Sequence, residues 1–492
     1  MIHISRNSQR DLFIILVCLF ALTGYLFAAS VTFRTGFPLD DAWIHQTFAR
    51  NLVQFKEWSF NPGYPTSGST SPLWTFLLTP AFLLNIPPVV WALILGGLFF
   101  CLTVILIKAV VERFVPIEGT FLYITAVAVT AMEWHLIWAA ASGMETILFC
   151  LLLTLVLYLS LSTRSKPFLI GLAIGASIWV RPEGVTMLGP VMLILMYTHR
   201  KDWKSLLREV IIVLGGLSIL MVPYLLFNYN LSGSIWPNTL TAKQLEYQGL
   251  LKTNALQRYI DLFTVPMVGG NLLLIPGFIY AIYSSFRNKE IHIIAFAIWL
   301  FGFVLMYSLS LPVTYQHGRY LIPIIPIYLC LSIPGVFQIF EKIKQKKLGF
   351  VTQMVWSVSI ILVSAAFGYL GAKAYANDVA VIETEMVEPS KWIANNTPAD
   401  SRIAAHDIGA LGYFGNRYVI DLAGLVNKEV VPILTDPVGL RSFLKETAAS
   451  YLMIFPNWYS TPLVSESRSV FLGKYDYVQQ MGGERMEIYN LK

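Results

Sequence analysis

The sequence predicts a polytopic α-helical membrane protein with a small C-terminal α/β domain. Of its 492 residues, 56% are hydrophobic and only 13% are charged, whereas soluble domains carry roughly a quarter charged residues. About eleven apolar runs precede residue 373, and most have the roughly 20 residues that a spanning helix needs. After that residue, acidic residues, Asn, Gly and short β-branched runs become frequent. We therefore expect a transmembrane module over 1–372 and a separate α/β domain over 373–492.

Each apolar run is interpreted as one span. The runs lie at about 11–31, 89–111, 119–140, 144–163, 167–180, 184–199, 208–227, 262–284, 291–311, 319–339 and 350–372. A further run, 72–86, is short and ends at Pro87-Pro88. If that run does not cross and the N-terminus is cytoplasmic, every dense Lys/Arg cluster falls in a cytoplasmic loop, as the positive-inside rule requires. The sequence thus predicts a juxtamembrane or re-entrant helix at 72–86, in a first outer loop over 32–88 of a cytoplasmic-membrane protein.

The same topology places the C-terminal domain outside the cytoplasm. Its predicted elements are strands at 402–407, 418–421, 451–455, 475–478 and 486–489, with helices at 388–396 and 437–448.

Charge and cysteine usage exclude several classes of function. The net charge of +6 comes mostly from short loops, so it reports topology and not nucleic-acid binding. Four cysteines, Cys18, Cys101, Cys150 and Cys330, all fall in apolar runs, without a CxxC or Cys/His cluster. This pattern argues against zinc or iron–sulfur sites and against a disulfide framework.

Two adjacent carboxylates, Asp40 and Asp41, directly follow the first predicted span. Charges beside a bilayer are costly and usually functional. Neighbouring side chains on a helix point about 100° apart, so the two need not share one role. One could accept a proton while the other binds a cation or a hydroxyl group. The alternative is that one of them only caps an amphipathic helix that runs to Phe55.

The predicted topology gathers further polar segments on the outer face. Arg181, Lys243 and Arg319 are cations on the side where positive charge is normally depleted, so we expect an anionic ligand there. Two simpler interpretations remain: Arg181 could pair with Glu183, and Glu145 could only complement a helix dipole. Interfacial anchoring is the simpler interpretation for the remaining aromatic and basic side chains. The candidate substrate-binding residues are His45, Glu145, Glu183, His317, Asn238, Trp74 and Tyr320.

The chain resembles the GT-C superfamily of integral-membrane glycosyltransferases, and among them bacterial arabinofuranosyltransferases that act on cell-wall glycans. The motifs that carry the resemblance are Leu39-Asp40-Asp41-Ala42-Trp43-Ile44, Arg50-Asn51-Leu52, Phe60-Asn61-Pro62-Gly63, Ser69-Thr70-Ser71-Pro72-Leu73-Trp74, Ser142-Gly143-Met144-Glu145-Thr146, Arg181-Pro182-Glu183-Gly184, Pro237-Asn238-Thr239 with Lys243, Gly318-Arg319-Tyr320-Leu321-Ile322-Pro323, His406-Asp407-Ile408-Gly409-Ala410-Leu411-Gly412-Tyr413 and Val419-Ile420-Asp421-Leu422-Ala423-Gly424-Leu425.

The resemblance implies a polyprenyl-phosphate–sugar donor at the outer leaflet and a glycan, lipid or protein acceptor. An acceptor hydroxyl then attacks the anomeric carbon in line and inverts its configuration. Asp40 or Asp41 is the expected general base, with Asp41 favoured, and Arg319, Lys243 and Arg181 are expected to bind the donor phosphate. No cofactor is implied except a divalent cation, Mg²⁺, Mn²⁺ or Ca²⁺, for which Asp40 is the candidate ligand.

Two other classes compete with this interpretation. A transporter or flippase of lipid-linked saccharides would also be polytopic, but it would tend to show repeated halves and charges near the bilayer midplane. A polymerase or ligase of lipid-linked glycans is the second alternative. Only the GT-C interpretation requires a carboxylate at Asp40 or Asp41.

Overall fold

The computed structural model describes residues 6–115, 120–162, 165–237, 239–458, 463 and 468–491. Helices before residue 383 are α1 (Arg6–Thr32), α2 (Asp41–Phe55), α3 (Pro72–Leu83), α4 (Pro88–Phe114), α5 (Thr120–Ala131), α6 (Trp134–Ala141), α7 (Thr146–Ser160), α8 (Pro167–Val180), α9 (Leu188–Thr198), α10 (Trp203–Ser232), α11 (Thr239–Glu246), α12 (Ala255–Thr264), α13 (Ile275–Asn288), α14 (Ile291–Ser310), α15 (Tyr315–Gly318), α16 (Ile324–Glu341) and α17 (Lys346–Ile382). Strands β1 (Ser59–Asn61) and β2 (Tyr64–Pro65) form a small hairpin after α2.

The long apolar helices make this a multi-pass membrane protein. Six of them, α1, α4, α10, α14, α16 and α17, are long and apolar enough to cross a bilayer. Two bent pairs, α5 with α6 and α12 with α13, raise the number to eight if each pair is one span. Since α7, α8 and α9 are shorter than a usual span, the count of eleven stays a prediction.

Two runs that we expected to be single straight spans are broken. The run 119–140 bends by 49° between α5 and α6, because Glu133 caps α6 by accepting a hydrogen bond from the Leu136 N–H at 2.8 Å. The run 262–284 is bent by 98° between α12 and α13, where Gly269 has a left-handed φ of 103°. The run 72–86 forms α3, whose 12 residues reach about 18 Å, less than the roughly 30 Å hydrocarbon core; that it does not cross stays a prediction.

The last span does not end at the predicted domain boundary. Helix α17 continues through a π-helical turn, Glu383–Val387, into α18 (Glu388–Asn396), as one helical stretch of 50 residues. Arg34 at the end of α1 pairs with Glu383 at 2.5 Å and with Glu388 at 2.7 Å. The ion pairs bind the first span to the turn that leads into the C-terminal domain.

The C-terminal domain contains a five-stranded sheet in the order β4-β3-β5-β7-β6. Strand β3 pairs in parallel with β4 and β5, whereas β7 is antiparallel to β5 and β6. Its elements are β3 (Arg402–Ala405), α19 (Gly409–Phe414), β4 (Tyr418–Asp421), α20 (Pro437–Glu446), β5 (Tyr451–Ile454), β6 (Ser469–Leu472), α21 (Tyr477–Gln480) and β7 (Glu487–Asn490).

The strand expected at 475–478 is wrong, because that segment packs on the membrane part instead of joining the sheet. The rings of Tyr475 and Tyr477 lie 5.1 and 5.9 Å from that of Phe33 at the end of α1. The Tyr477 hydroxyl also donates a hydrogen bond to the Thr32 carbonyl. Tyr477 is the first residue of the short helix α21. The edge strand of the sheet, β6, precedes this segment in the chain.

Candidate active site

Asp41 is the first residue of α2, and its carboxylate contacts two cations of the site. Its Oδ2 lies 2.7 Å from Arg319 Nη2 and 3.5 Å from Lys243 Nζ. Burial opposes ionisation, but Lys243 and Arg319 hold the pKa of Asp41 well below its ordinary value. With 28% of the side chain exposed, this ionised carboxylate stays accessible to a ligand.

Arg319 has more hydrogen-bonding capacity than its protein partners use. Its side chain is only 7% exposed, and among the described residues its Nε and Nη1 have no hydrogen-bond partner. The preceding residues Gln316, His317 and Gly318 all have left-handed φ angles, 52°, 57° and 63°, and such strain persists where a surrounding structure holds it. Because an unsatisfied buried guanidinium is costly, this geometry favours an anion beside Arg319.

The Tyr320 side chain lies at the centre of the three predicted phosphate ligands. Its hydroxyl is 3.2 Å from Lys243 Nζ and 3.2 Å from Arg319 Nη2. The guanidinium carbons of Arg181 and Arg319 both lie 5.1 Å from its ring centroid. Burial raises its pKa, yet Arg319 and Lys243 lower the pKa of Tyr320 to about 8. The structure thus gathers three cations in one small volume.

A cavity of about 280 Å³ opens beside these cations. Arg181, Lys243 and Tyr320 line its polar side, while Met306 and Leu311 belong to its apolar side. A second cavity of about 260 Å³ also contacts Met306 and runs between α9 and α14 over apolar side chains. A charged head group could therefore bind in the first cavity with its hydrocarbon chain along the second.

Glu145 lies between Arg181 and His45, and its carboxylate oxygens contact both side chains. Its Oε1 lies 3.5 Å from Arg181 Nε, and its Oε2 lies 3.5 Å from His45 Nε2. Glu183 instead accepts a hydrogen bond from the Tyr307 hydroxyl at 2.5 Å. Among the described residues the ion pair of Arg181 is with Glu145, so the pairing of Arg181 with Glu183 that we considered is not formed.

Asp40 points away from the cations and contacts the C-terminal domain. Its Oδ2 and Oδ1 accept hydrogen bonds from the backbone N–H groups of Gly409 and Ala410 at 2.6 and 2.8 Å. It precedes α2 without a side-chain cap bond to that helix, so the expected cap is wrong for α2, and Asp40 caps α19 instead. Burial and Asp407 raise the pKa of Asp40 to about 8, but the residue is only 8% exposed and its carboxylate contacts α19, so an acceptor hydroxyl has little access to it.

The structure also argues against a cation at Asp40. Asp40 is buried, and each of its oxygens already accepts a backbone hydrogen bond from α19, so a cation there would compete with these bonds. In the described part of the chain, no three His, Cys, Asp or Glu side chains are grouped to hold a metal ion. Asp41 is surrounded by Arg319 and Lys243, a setting that repels a divalent cation. The residues present do not fit a metal site here.

Two predicted substrate-binding residues, His317 and Trp74, are not placed with the others. His317 lies 2.7 Å from Asp378 and edge-on to the rings of Trp134 and Trp138. Trp74 is fully buried and donates its indole N–H to the Gly143 carbonyl, so it packs instead of facing a substrate. Asn238 lies outside the described residues.

The site also depends on residues that we did not single out as candidates. Arg50 donates hydrogen bonds to the carbonyls of Tyr413 and Gly412 at 2.7 and 3.0 Å. Glu246, in the helix that carries Lys243, lies 3.7 Å from His406 of the C-terminal domain. Arg50 and His406 belong to the motifs of the family resemblance, but a contact with backbone carbonyls leaves no signal in the sequence.

The fold of this chain is similar to the folds of several solved protein structures. It is similar to ArnT from Cupriavidus metallidurans bound to undecaprenyl phosphate, with a TM-score of 0.59, 12% identity and 97% of each chain covered. It is also similar to the archaeal oligosaccharyltransferase AglB from Archaeoglobus fulgidus, in complex with an inhibitory peptide and a dolichol-phosphate. There the TM-score is 0.58 at 10% identity, over 90% of this chain and 69% of that one.

Other comparisons add less. A mycobacterial arabinofuranosyltransferase, AftD, aligns with a TM-score of 0.47 and 15% identity over 96% of this chain and 41% of that one, too weak to support an argument. Residues 373–489 match a family described as a domain of unknown function (DUF8728). No curated protein matches the sequence.

Proposed function

We propose that this protein is an inverting glycosyltransferase that moves a sugar from a polyprenyl-phosphate donor to an acceptor hydroxyl. Its site faces the outer side of the cytoplasmic membrane, and the acceptor is a cell-envelope glycan, lipid or protein. The observation that carries the proposal is the pairing of Asp41 with Arg319 and Lys243 beside a largely apolar cavity with charged residues at its wall. A base and a set of anion ligands are thus adjacent, as the reaction requires.

The donor phosphate binds to the cations around Tyr320. Arg319 has two unused nitrogen atoms, and Arg181 and Lys243 line the cavity. Arginine can bind phosphate through two parallel hydrogen bonds. The apolar cavity between α9 and α14 takes the first isoprene units of the lipid. The lipid phosphates bound to ArnT and AglB support a donor of this chemistry.

In the reaction, the acceptor oxygen forms a bond to the anomeric carbon as the bond from that carbon to the phosphate oxygen breaks. The electron pair of the broken bond stays on the polyprenyl phosphate, whose growing negative charge Arg319, Lys243 and Arg181 stabilise. The hydroxyl proton passes to Asp41, because an alcohol is a poor nucleophile unless a base takes its proton.

When no donor is bound, the Asp41 carboxylate is itself the anion that pairs with Arg319 and Lys243. Its low pKa there makes it a weak base. When the phosphate binds Arg319 and Lys243, those cations are shared and the pKa of Asp41 rises towards its ordinary value. Donor binding therefore activates the base, and no metal-dependent step is needed in this scheme.

Replacing each aspartate by Asn separates their roles. Asp41→Asn should lower the rate of sugar transfer at least about 100-fold, because the amide cannot take the proton. Its affinity for the donor should stay the same or increase, since a competing negative charge is removed. Asp40→Asn should lose less activity and should destabilise the contact with α19. Asp436→Asn, at an exposed helix cap of the C-terminal domain, is the control.

The measurement is transfer from synthetic polyprenyl-phosphate sugars by purified, monodisperse protein, together with donor binding. If Asp41→Asn turns over at near wild-type rate, the proposed mechanism is wrong. If the wild type moves the donor across vesicles without cleaving it, the protein is a flippase.

A further inference from the structure

A cavity of about 230 Å³ lies between the first outer loop, the end of α10 and the C-terminal domain. Its walls include the β1–β2 hairpin on one side and the loop after β4 on the other. Asn61 holds these walls together, because its side chain donates to the Val419 carbonyl at 2.9 Å and accepts from the Val419 N–H at 3.0 Å. The catalytic site described above uses none of the residues that line this cavity.

A single segment, residues 66–70, separates this cavity from the donor cavity. Thr66 lines the first and Thr70 lines the second, so their Cα atoms are at most about 14 Å apart. Gly68 packs so closely on the loop after β4 that a Cβ there would meet Val426 Cγ1 at 2.4 Å. The linings of the two cavities therefore approach within the length of two to three sugar units at this segment, which packs against the loop after β4 of the C-terminal domain.

The lining of the cavity matches a saccharide. Tyr64 is 57% exposed, and its ring packs edge-on against that of Tyr418 at 5.3 Å. Such rings can contact the C–H face of a sugar. Lys428 and Glu429 are exposed at the same cavity and can hydrogen-bond to hydroxyl groups. The carboxylate of Glu429 disfavours a phosphate, and the mixed polar lining contrasts with the apolar groove between α9 and α14.

We propose that this cavity binds the saccharide portion of the acceptor, two to three units from the hydroxyl that is glycosylated. The proposal rests on the proposed transferase function and makes the acceptor a glycan or a glycosylated lipid. Residues 373–489, the matched domain of unknown function, then contribute directly to acceptor binding through Tyr418, Lys428 and Glu429.

The test is binding of defined neutral oligosaccharides of two to four units, built from arabinofuranose, galactofuranose, mannose or glucose, to the purified full-length chain. Saturation-transfer NMR reports contact without any turnover. Tyr64→Ala should weaken binding about 10-fold, and because Tyr64 is mostly exposed its loss should not affect folding. Ser232→Trp fills the cavity from the α10 side and should do the same. Met481→Ala, at a side chain of the C-terminal domain that is also 57% exposed and lies outside this cavity, is the matched control and should bind as the wild type does.

The proposal is overturned if no oligosaccharide binds, or if both cavity variants bind like the wild type. Release of polyprenyl phosphate from a synthetic donor is measured in parallel and tests the transferase function separately. Donor cleavage without oligosaccharide binding overturns only the acceptor site. Oligosaccharide binding without donor cleavage or transfer overturns only the transferase.

Discussion

At the scale of single residues, two adjacent aspartates have separate tasks. Asp41 faces Arg319 and Lys243, whereas Asp40 accepts two backbone hydrogen bonds from α19. Their divergence follows from the 100° turn per residue at the start of a helix. The raised pKa of Asp40 would suit a base, but geometry decides between them because only Asp41 has an accessible oxygen.

The contacts of Asp41 predict a difference between two pH profiles. In the free enzyme Arg319 and Lys243 lower the pKa of Asp41, so it stays ionised to well below pH 4. Bound phosphate engages those cations and lets the pKa of Asp41 rise. The acid limb of kcat should therefore lie at higher pH than the acid limb of kcat/KM, which reports the free enzyme.

Lys243→Ala provides the internal comparison for that experiment. Removing one cation should raise the pKa of Asp41 in the free enzyme and move the acid limb of kcat/KM to higher pH. Coincident limbs in the wild type, unchanged in the variant, would show that Asp41 is not the titrating base.

At the scale of elements, α2 carries both Asp41, the proposed general base, and the binding surface for α19. Asp40 accepts from the first N–H groups of α19, and Arg50 donates to carbonyls at its other end. These hydrogen bonds satisfy N–H groups at the start of α19 and carbonyl groups at its end. Between them, the Trp43 ring packs against those of Tyr413 and Phe414 at 4.8 and 4.6 Å. A helix of six residues is not stable alone, so α2 stabilises it.

Gly409→Ala should disrupt this contact selectively. A Cβ at Gly409 would meet the Asp40 backbone oxygen at 2.0 Å, so α19 must move away from α2. We expect faster hydrogen exchange in residues 409–414 and a loss of turnover of about 10-fold or more, since Asp41 follows Asp40 directly. Gly368→Ala in α17, where a Cβ meets nothing within 4 Å, should change neither. Faster exchange with normal turnover in Gly409→Ala would mean that the contact does not position Asp41.

Sequence patterns predicted some of these helices and missed features that depend on distant contacts. Hydrophobic periodicity located the helix from Asp41 to Phe55 and the short helix after Pro72, because burial patterns are local. It did not reveal the break at Glu133 or the displaced strand near Tyr475, because both depend on partners far away in the chain. Likewise, an excess of outer cations pointed to Arg181, Lys243 and Arg319, but their meeting around Tyr320 required the tertiary structure.

At the scale of the whole molecule, short helices lie next to the candidate site. Helices α7, α8 and α9 have 15, 14 and 11 residues, about 17–23 Å each, less than the roughly 30 Å hydrocarbon core. Glu145 and Arg181 are at their ends. If all three cross, the site lies below the level of the outer headgroups, where a lipid phosphate can reach the cations.

The predicted membrane topology can be tested with reporter fusions. With eleven crossings and a cytoplasmic N-terminus, the basic loop containing Arg287 and Lys289 faces the cytoplasm, and the hairpin at Tyr64 and the C-terminal sheet face outwards. An alkaline phosphatase fused after residue 491 should be active, because that enzyme needs an oxidising compartment, and one inserted after Lys289 should be inactive. A green fluorescent reporter at the same two points should give the opposite result. Because the positive-inside rule is satisfied only if α3 does not cross, a phosphatase inserted at Gly63 and one after Asn85 should both be active. Activity at Gly63 with inactivity after Asn85 would mean that α3 spans, which would reverse every later loop and place the basic clusters outside.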